Sequence, residues 1–493
     1  MRLNQSFIFF LILLLSYGRS VVAQKPKDLR QAVDQFAEDE QLKHASWGFM
    51  AVSTADTSQK VFMNPDLSLI NASTQKLITT ITALSLLGID YQFETLLQYS
   101  GTLTGDTLKG DLIIKGMGDP TFGAVQMSDS LSLETIFNEW LESIKKAGIK
   151  SIKGNIVSDG TFFDDHMIPS KWNWEDIGNY YGAGAHALSV HENMYTVFFR
   201  PGNKEGEPAR VLSTRPRIDG MTFINHVTTG AIGSGDQVYI FGVPGQKQRW
   251  LTGTVPLGQD YFAVKGSMPD PGFFAASAFR SFLKKNQISI DGEVFTHQTH
   301  PQLPEDAGRI VLSKWLSPPL NEIAARTNKK SVNSYAENLF KVLGKEVNDE
   351  GSFEASAEVI EKFWQENGID KQGMRIHDGS GLSPFNLITV SQLTQILILA
   401  SRNSEIYESL IQGLPVAGRS GSLSGLFKGT PSEGLLRAKS GYLDHVWAYA
   451  GYTEDSEENM IAFTIIVNNY TGSAIQMRKK ITGLLNAITQ YGL

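Results

Sequence analysis

The pattern of apolar and polar positions divides the chain into two styles. A polar helical segment over 27–43 precedes two short strands, 47–52 and 60–63, joined by a polar turn over 53–59. The stretch Ala72-Ser73-Thr74-Gln75-Lys76 then runs into 77–87, which is apolar on nearly every face and is stopped by Gly88. Eleven such residues ended by glycine predict a helix buried all round, held by packing because its β-branched residues are modest helix formers. Residues 94–309 change character: short alternating runs (112–115, 155–158, 195–200, 237–241, 261–264) lie between Gly, Pro, Asn and Asp, with helices near 131–147 and 272–286. Helical periodicity returns over 319–328, 334–343, 352–367 and 390–401, followed by three strand-like runs, 435–439, 446–452 and 460–468. A helix with Ile475, Arg478, Ile481, Leu485 and Ile488 on one face closes the chain. The two ends share one style, so we expect an α+β domain, an antiparallel sheet flanked by helices, built from 24–93 and 310–493. The middle is expected to form two inserted β-rich modules, one from 94–175 with 263–309 and the other from 176–262.

The first residues are expected to be an address. Arg2, a nine-residue apolar run over 7–15 and small residues before Gln24 read as a secretory signal peptide over 1–23. The run has half of the ~20 residues that a membrane span needs, although an uncleaved anchor is the competing reading. No cysteine follows it to carry a lipid. Lys and Arg total 44 against 51 Asp and Glu, and losing Arg2 and Arg19 leaves 42 against 51, or −9. That balance argues against a nucleic-acid partner. The absence of cysteine removes disulfides, a thiolate nucleophile, iron–sulfur clusters and cysteine zinc sites. An exported chain of this kind must be held by core burial, which 493 residues permit.

Candidate chemistry begins with Ser73-x-x-Lys76. Positions i and i+3 share a helical face, the first turn favours an oxyanion, and a dehydrated lysine is a candidate neutral base for the serine proton. The same spacing recurs at Ser143/Lys146 and Ser281/Lys284, but on segments with charged faces, which read as solvated helix surface. Lys439-Ser440-Gly441 lies in a strand-like run, where a lysine facing a cleft could bind a carboxylate and glycine would admit a substrate backbone. The competing reading is a solvated edge lysine that discourages aggregation. Ser331-x-Asn333 falls between two helices, and Ser334-x-x-Glu337 after it reads as a capping box. A second copy, Ser401-x-Asn403, shows how little the triplet means by itself. Gly116-Met117-Gly118 lacks the third glycine and the helix of a dinucleotide site, and the adjacent residues His377, Asp378 and Ser380 cannot form a triad among themselves. His186, His191, His297 and His300 read as surface or core residues rather than metal ligands. Trp172 and Trp174 read as packing or groove residues.

The order Ser-x-x-Lys, Ser-x-Asn, Lys-Ser-Gly matches the penicillin-recognising serine hydrolases. Ser73 and Ser331 are 258 residues apart, far more than a compact β-lactamase-like domain leaves. The sequence resembles the D-alanyl-D-alanine carboxypeptidase/endopeptidase family, the low-molecular-mass class C penicillin-binding proteins, over nearly its whole length. Gly116-x-Gly118-Asp119-Pro120, Tyr181-Gly182-Ala183, Lys265-Gly266-Ser267, Asp378-Gly379-Ser380-Gly381-Leu382-Ser383, Leu414-Pro415-Val416-Ala417-Gly418 and Ala450-Gly451-Tyr452 are similar to that family's secondary signatures.

The resemblance implies that Ser73 attacks a terminal D-Ala-D-Ala carbonyl, with Lys76 as base. It implies that Ser331 relays the proton to the leaving amine, Asn333 holds the substrate amide, and Lys439 and Ser440 bind the terminal carboxylate. Backbone N–H groups of Ser73 and Tyr442 would form the oxyanion hole beside Gly441. Asp159 would receive the amino end of the stem-peptide side chain. Partners implied are peptidoglycan stem peptides and β-lactams as covalent inhibitors, with no cofactor or metal, and with membrane contact left open. Two departures stand out: Lys-Ser-Gly replaces the commoner Lys-Thr-Gly, and Pro384-Phe385 stands where several relatives carry a basic residue. A β-lactamase or esterase on the same frame, and a catalytically silent peptidoglycan-binding scaffold, are the alternatives.

Overall fold

The structure, a computed structural model, describes residues 26–493; the expected signal peptide over 1–23 lies outside them. Both ends of the chain meet in one five-stranded antiparallel sheet, in the order Lys60–Met63, Ser46–Ser53, Met460–Asn468, Val446–Glu454, Arg437–Leu443. Its strands read as continuous apolar runs because both faces are covered. Phe49, Ala51, Phe463 and Ile465 face one core with the helices Leu29–Ala37 and Ala474–Tyr491. Met50, Val52, Ala448, Ala450 and Ile466 face the other, with Gln75–Leu87, Leu320–Lys330, Asn333–Asn348, Phe353–Glu366 and Val390–Ser401.

The helix Gln75–Leu87 is buried from Gln75 through Leu84, as its pattern predicts, and Gly88 ends it with φ 89°. Its hydroxyls are satisfied inside the helix: Thr80 Oγ1 donates to Lys76 O at 2.7 Å and Thr82 Oγ1 to Ile78 O at 2.7 Å. Tertiary partners add to this, since Asn328 Nδ2 donates to Thr80 Oγ1 and Trp364 Nε1 donates to Thr82 Oγ1.

The middle of the chain forms two further bodies. One is a sheet in the order Val294–Thr296, Ile156–Asp159, Leu112–Gly116, Glu94–Tyr99, Ile310–Leu316, packed on the helices Leu133–Lys146 and Pro271–Lys285 around the fully buried Trp140. Ile310–Leu316 therefore belongs to this sheet rather than to the outer domain, to which the sequence had given it; its partner strand lies over 200 residues earlier, beyond the reach of a local pattern. The other body pairs Met194–Arg200 with Arg210–Arg215 and Phe262–Ser267, so residues 263–267 go with this module. It adds a small sheet centred on Gln248–Pro256, with Thr222–Asn225 and Thr228–Gly230 along one side and Gln237–Phe241 along the other.

Three local expectations are corrected. Ser404–Gly413 is a helix the pattern missed, and the Asn403 side chain caps it by accepting from Ile406 N. In the final helix Ile475 is exposed, the buried face being Met477, Ile481, Leu484, Leu485 and Ile488, while the Arg478 guanidinium lies over the Trp447 ring. Ser334-x-x-Glu337 is no capping box: Asn333 opens the helix, Val332 precedes it without a side-chain cap, and Glu337 is committed elsewhere.

Candidate active site

Three segments distant in sequence converge where the edge strand Arg437–Leu443 passes the start of Gln75–Leu87. Ser73 sits in a 3-10 turn, Ala72–Thr74, that leads into the helix, and Ala72 is held left-handed at φ 44°. One turn on, Lys76 is wholly buried. Its Nζ donates to Ser73 Oγ at 3.0 Å and to Ser380 O at 2.7 Å. Burial lowers the Lys76 pKa to about 7 against the opposing pull of Glu337 and Asp378. A buried amine near neutrality, in hydrogen-bond contact with a hydroxyl, can take that hydroxyl's proton.

Ser331 ends the helix Leu320–Lys330 in a left-handed conformation, φ 57°, and two residues later Asn333 opens the next helix. This hinge turns both side chains towards the cleft. Lys439 Nζ donates to Ser331 Oγ at 2.9 Å and to Ser440 O at 2.6 Å. Lys439 is on the edge strand but is not the solvated lysine that an edge suggests: it is buried, and burial together with Lys76 holds its pKa well below the ordinary lysine range. Ser440 Oγ donates to Ser422 Oγ at 2.7 Å, and Tyr442 is half exposed. At Gly441 a methyl group would stand 2.8 Å from Ser73 N, so only glycine lets this strand run against the turn that carries Ser73. Asn333 Nδ2 donates to Tyr181 O at 2.7 Å, which ties the motif to the inner module. A cleft of about 320 Å³ opens beside Ser331 and Asn333, lined further by Tyr180, Tyr181, Lys265 and Arg326.

Asp159 is not brought to this cluster. It ends a strand of the inserted sheet, is 1% exposed, and both its oxygens are engaged: Oδ2 with Arg309 Nη1 at 2.5 Å, Oδ1 with the backbone and side chain of Thr161. The two decoy serines, Ser143 and Ser281, each donate to a backbone carbonyl one turn back, on exposed helix surface.

The loop 378–383 is the part that sequence reading undervalued. Glu337, fully buried, accepts from Gly379 N at 2.9 Å and Ser380 N at 2.8 Å, and burial with Asp378 nearby pushes its pKa up. Asp378 accepts from Gly381 N, Ser383 N, Asn386 Nδ2 and Trp172 Nε1. These bonds fix the Ser380 carbonyl that receives Lys76. In the sequence this loop stands only as one secondary signature among several, with no role attached to it. Beyond this loop Phe385 is exposed, and Lys171 Nζ from the inserted region lies 5.6 Å above its ring, so a cation does stand beside Pro384-Phe385.

A family model described as D-Ala-D-Ala carboxypeptidase 3 (S13) family matches residues 29–488. The chain is 30% identical over 459 residues to the D-alanyl-D-alanine carboxypeptidase of Actinomadura sp. (strain R39), covering 91% of this chain and 82% of that protein. It is 25% identical over 440 residues to the D-alanyl-D-alanine carboxypeptidase DacB of Haemophilus influenzae, covering 88% of this chain and 87% of that one. The crystal structure of penicillin binding protein 4 from Haemophilus influenzae superposes with a TM-score of 0.78 at 23% identity, over 93% of this chain and 99% of that one, which shows a shared fold.

Proposed function

The chain belongs to the D-Ala-D-Ala carboxypeptidase 3 (S13) family and is a serine-type DD-carboxypeptidase, and we propose that it works through an acyl-enzyme on Ser73, with DD-endopeptidase activity at the same centre. Ser73 Oγ attacks the carbonyl carbon of the D-Ala-D-Ala bond while its proton passes to neutral Lys76. The oxyanion is held by the backbone N–H groups of Ser73 and Tyr442, a kind of donor typically worth about 10²–10³ in rate each. The C–N bond then breaks. Ser331, hydrogen-bonded to Lys439, gives its hydroxyl proton to the leaving amine and regains one from the protonated Lys76, which returns Lys76 to its neutral form, and an ester on Ser73 remains for water to hydrolyse. Lys439 and Ser440 take the terminal carboxylate, and Asn333 the substrate amide. In the endopeptidase reaction the leaving amine belongs to a second, cross-linked strand, and the bond broken is otherwise the same. β-Lactams acylate Ser73 and are trapped as slowly hydrolysed acyl-enzymes, and a complex of the Haemophilus influenzae protein with one is known at a TM-score of 0.73.

We place the enzyme outside the cytoplasm, in the periplasm or cell envelope where peptidoglycan lies. Supporting this are the expected signal peptide and the match to a D-Ala-D-Ala carboxypeptidase family, whose substrate lies in the cell wall. Asp159 has no part in this assignment, because Arg309 and Thr161 occupy its carboxylate.

The observation that carries the reading is the contact between Lys76 Nζ and Ser73 Oγ, with the Lys439–Ser331 contact beside it. Release of D-Ala from a soluble pentapeptide ending in D-Ala-D-Ala tests it. Wild type should release D-Ala and Ser73→Ala should release none; rapid turnover of penicillin with no D-Ala release would instead make the protein a β-lactamase.

A further inference from the structure

The peptide substrate of such an enzyme hangs from a polysaccharide, and one surface of the inner module has the chemistry to hold a sugar chain. In the sheet centred on Gln248–Pro256, Val238, Ile240 and Leu251 point inward and are buried. The opposite face is open. Ile224 pairs with Trp250 and Trp250 with Phe241, so three apolar side chains stand in one row across three strands. Trp250 is 53% exposed. Trp174 continues the row: its ring centroid is 6.0 Å from that of Phe241 with the planes 31° apart, and it is itself 57% exposed. Tyr239 lies alongside, 6.4 Å from Phe241 and tilted by only 28°.

We propose that this face is a saccharide platform, on which the glycan strand bearing the stem peptide stacks; the proposal rests on the peptidoglycan reading above and extends it. Aromatic rings carry a negative face, which attracts the weakly positive C–H faces of a pyranose. Neighbouring strands are about 4.7–4.9 Å apart, close to the advance of one sugar in an extended β-linked chain, so a row crossing the strands can meet successive sugars. The polar positions that share the face are Thr222, Gln237, Gln248 and Thr252, hydroxyls and amides that suit sugar hydroxyls and acetamido groups. No outward-pointing position on these three strands is charged, which disfavours an anionic lipid surface, where Lys and Arg gather. The platform is continuous with the active site. Ile240 N donates to Asn179 Oδ1 at 3.0 Å, and two residues further on Tyr181 O accepts from Asn333 Nδ2 at 2.7 Å.

The test uses full-length Ser73→Ala protein, so that binding is read without acylation. It is titrated with glycan strands freed of their stem peptides and with oligomers of N-acetylglucosamine, following tryptophan fluorescence and calorimetric heat. The expected result is saturable binding, weakened at least tenfold by Trp250→Ala with Trp174→Ala and restored by Trp250→Tyr with Trp174→Tyr. In the Ser73-containing protein the alanine pair should leave the rate of acylation by a soluble penicillin unchanged while slowing D-Ala release from intact sacculi, and the tyrosine pair should leave both rates unchanged. Failure of Ser73→Ala protein to bind peptide-free glycan, or binding indifferent to the alanine pair, overturns the proposal whatever becomes of the peptidase reading. A dimer dissociated by Trp250→Ala in sedimentation, with no glycan binding, would assign the face to a second copy of the chain.

Discussion

The chemistry rests on what burial does to one amine. Lys76 would be cationic in water, but with no solvent around it the charged form loses its hydration, and the partial return from Glu337 and Asp378 leaves its pKa at about 7. A protonated Lys76 cannot accept the Ser73 proton. The rate of acylation by a penicillin should therefore rise with pH, half-maximal near pH 7, and fall about tenfold per unit well below it. Stopped-flow measurement from pH 5 to 9 checks this, and a rate flat across that range would contradict the role of Lys76. At Gly441 the limit is steric. Gly441→Ala puts a methyl group against Ser73 N and Asn71 O and so displaces an oxyanion donor; acylation should slow by about 10²–10³, and the unfolding midpoint should fall as expected for an overpacking cost of about 1–3 kcal/mol. Ser73, Lys76, Ser331, Asn333 and Lys439 were legible because each occupies a short motif whose spacing has a physical reason. Glu337 was not, since its partners are the backbone N–H groups of Gly379 and Ser380, which carry no residue identity, and Asp378 stood only inside a loop signature with no role attached.

Among the elements, the helix Gln75–Leu87 was readable from its lack of a polar face, and the hinge at Ser331 from a break between two periodic stretches. Ser404–Gly413 was not predicted, and Asn403, met in the sequence only as part of a second Ser-x-Asn copy, serves as its cap. The loop 378–383 links the outer domain to the inserted region, since Trp172 Nε1 donates to Asp378 Oδ2 at 2.8 Å and Ser383 Oγ to Lys171 O. Trp172→Phe removes one hydrogen bond to a buried carboxylate, about 1.5–3 kcal/mol. It should lower the urea midpoint and also slow acylation, because Ser380 O is then less firmly held against Lys76. A lower midpoint with unaltered acylation would separate the loop from the site.

At the scale of the molecule, a sheet with both faces covered could be recognised in the sequence by its long apolar strands, and an insertion by a change of style. Which strand pairs with which could not, as Ile310–Leu316 shows by joining Glu94–Tyr99 rather than the domain that follows it. The insertion closes one side of the cleft, with Tyr181 receiving Asn333, so the site is assembled from the outer domain and the inner module together. The central claim is that this assembly makes a single serine nucleophilic. The most direct measurement is a peptide map of the protein after brief exposure to benzylpenicillin. The penicilloyl mass should appear once, on the peptide containing Ser73, and be absent from Ser73→Ala. An adduct on any other residue, or equal labelling of both proteins, would contradict the account.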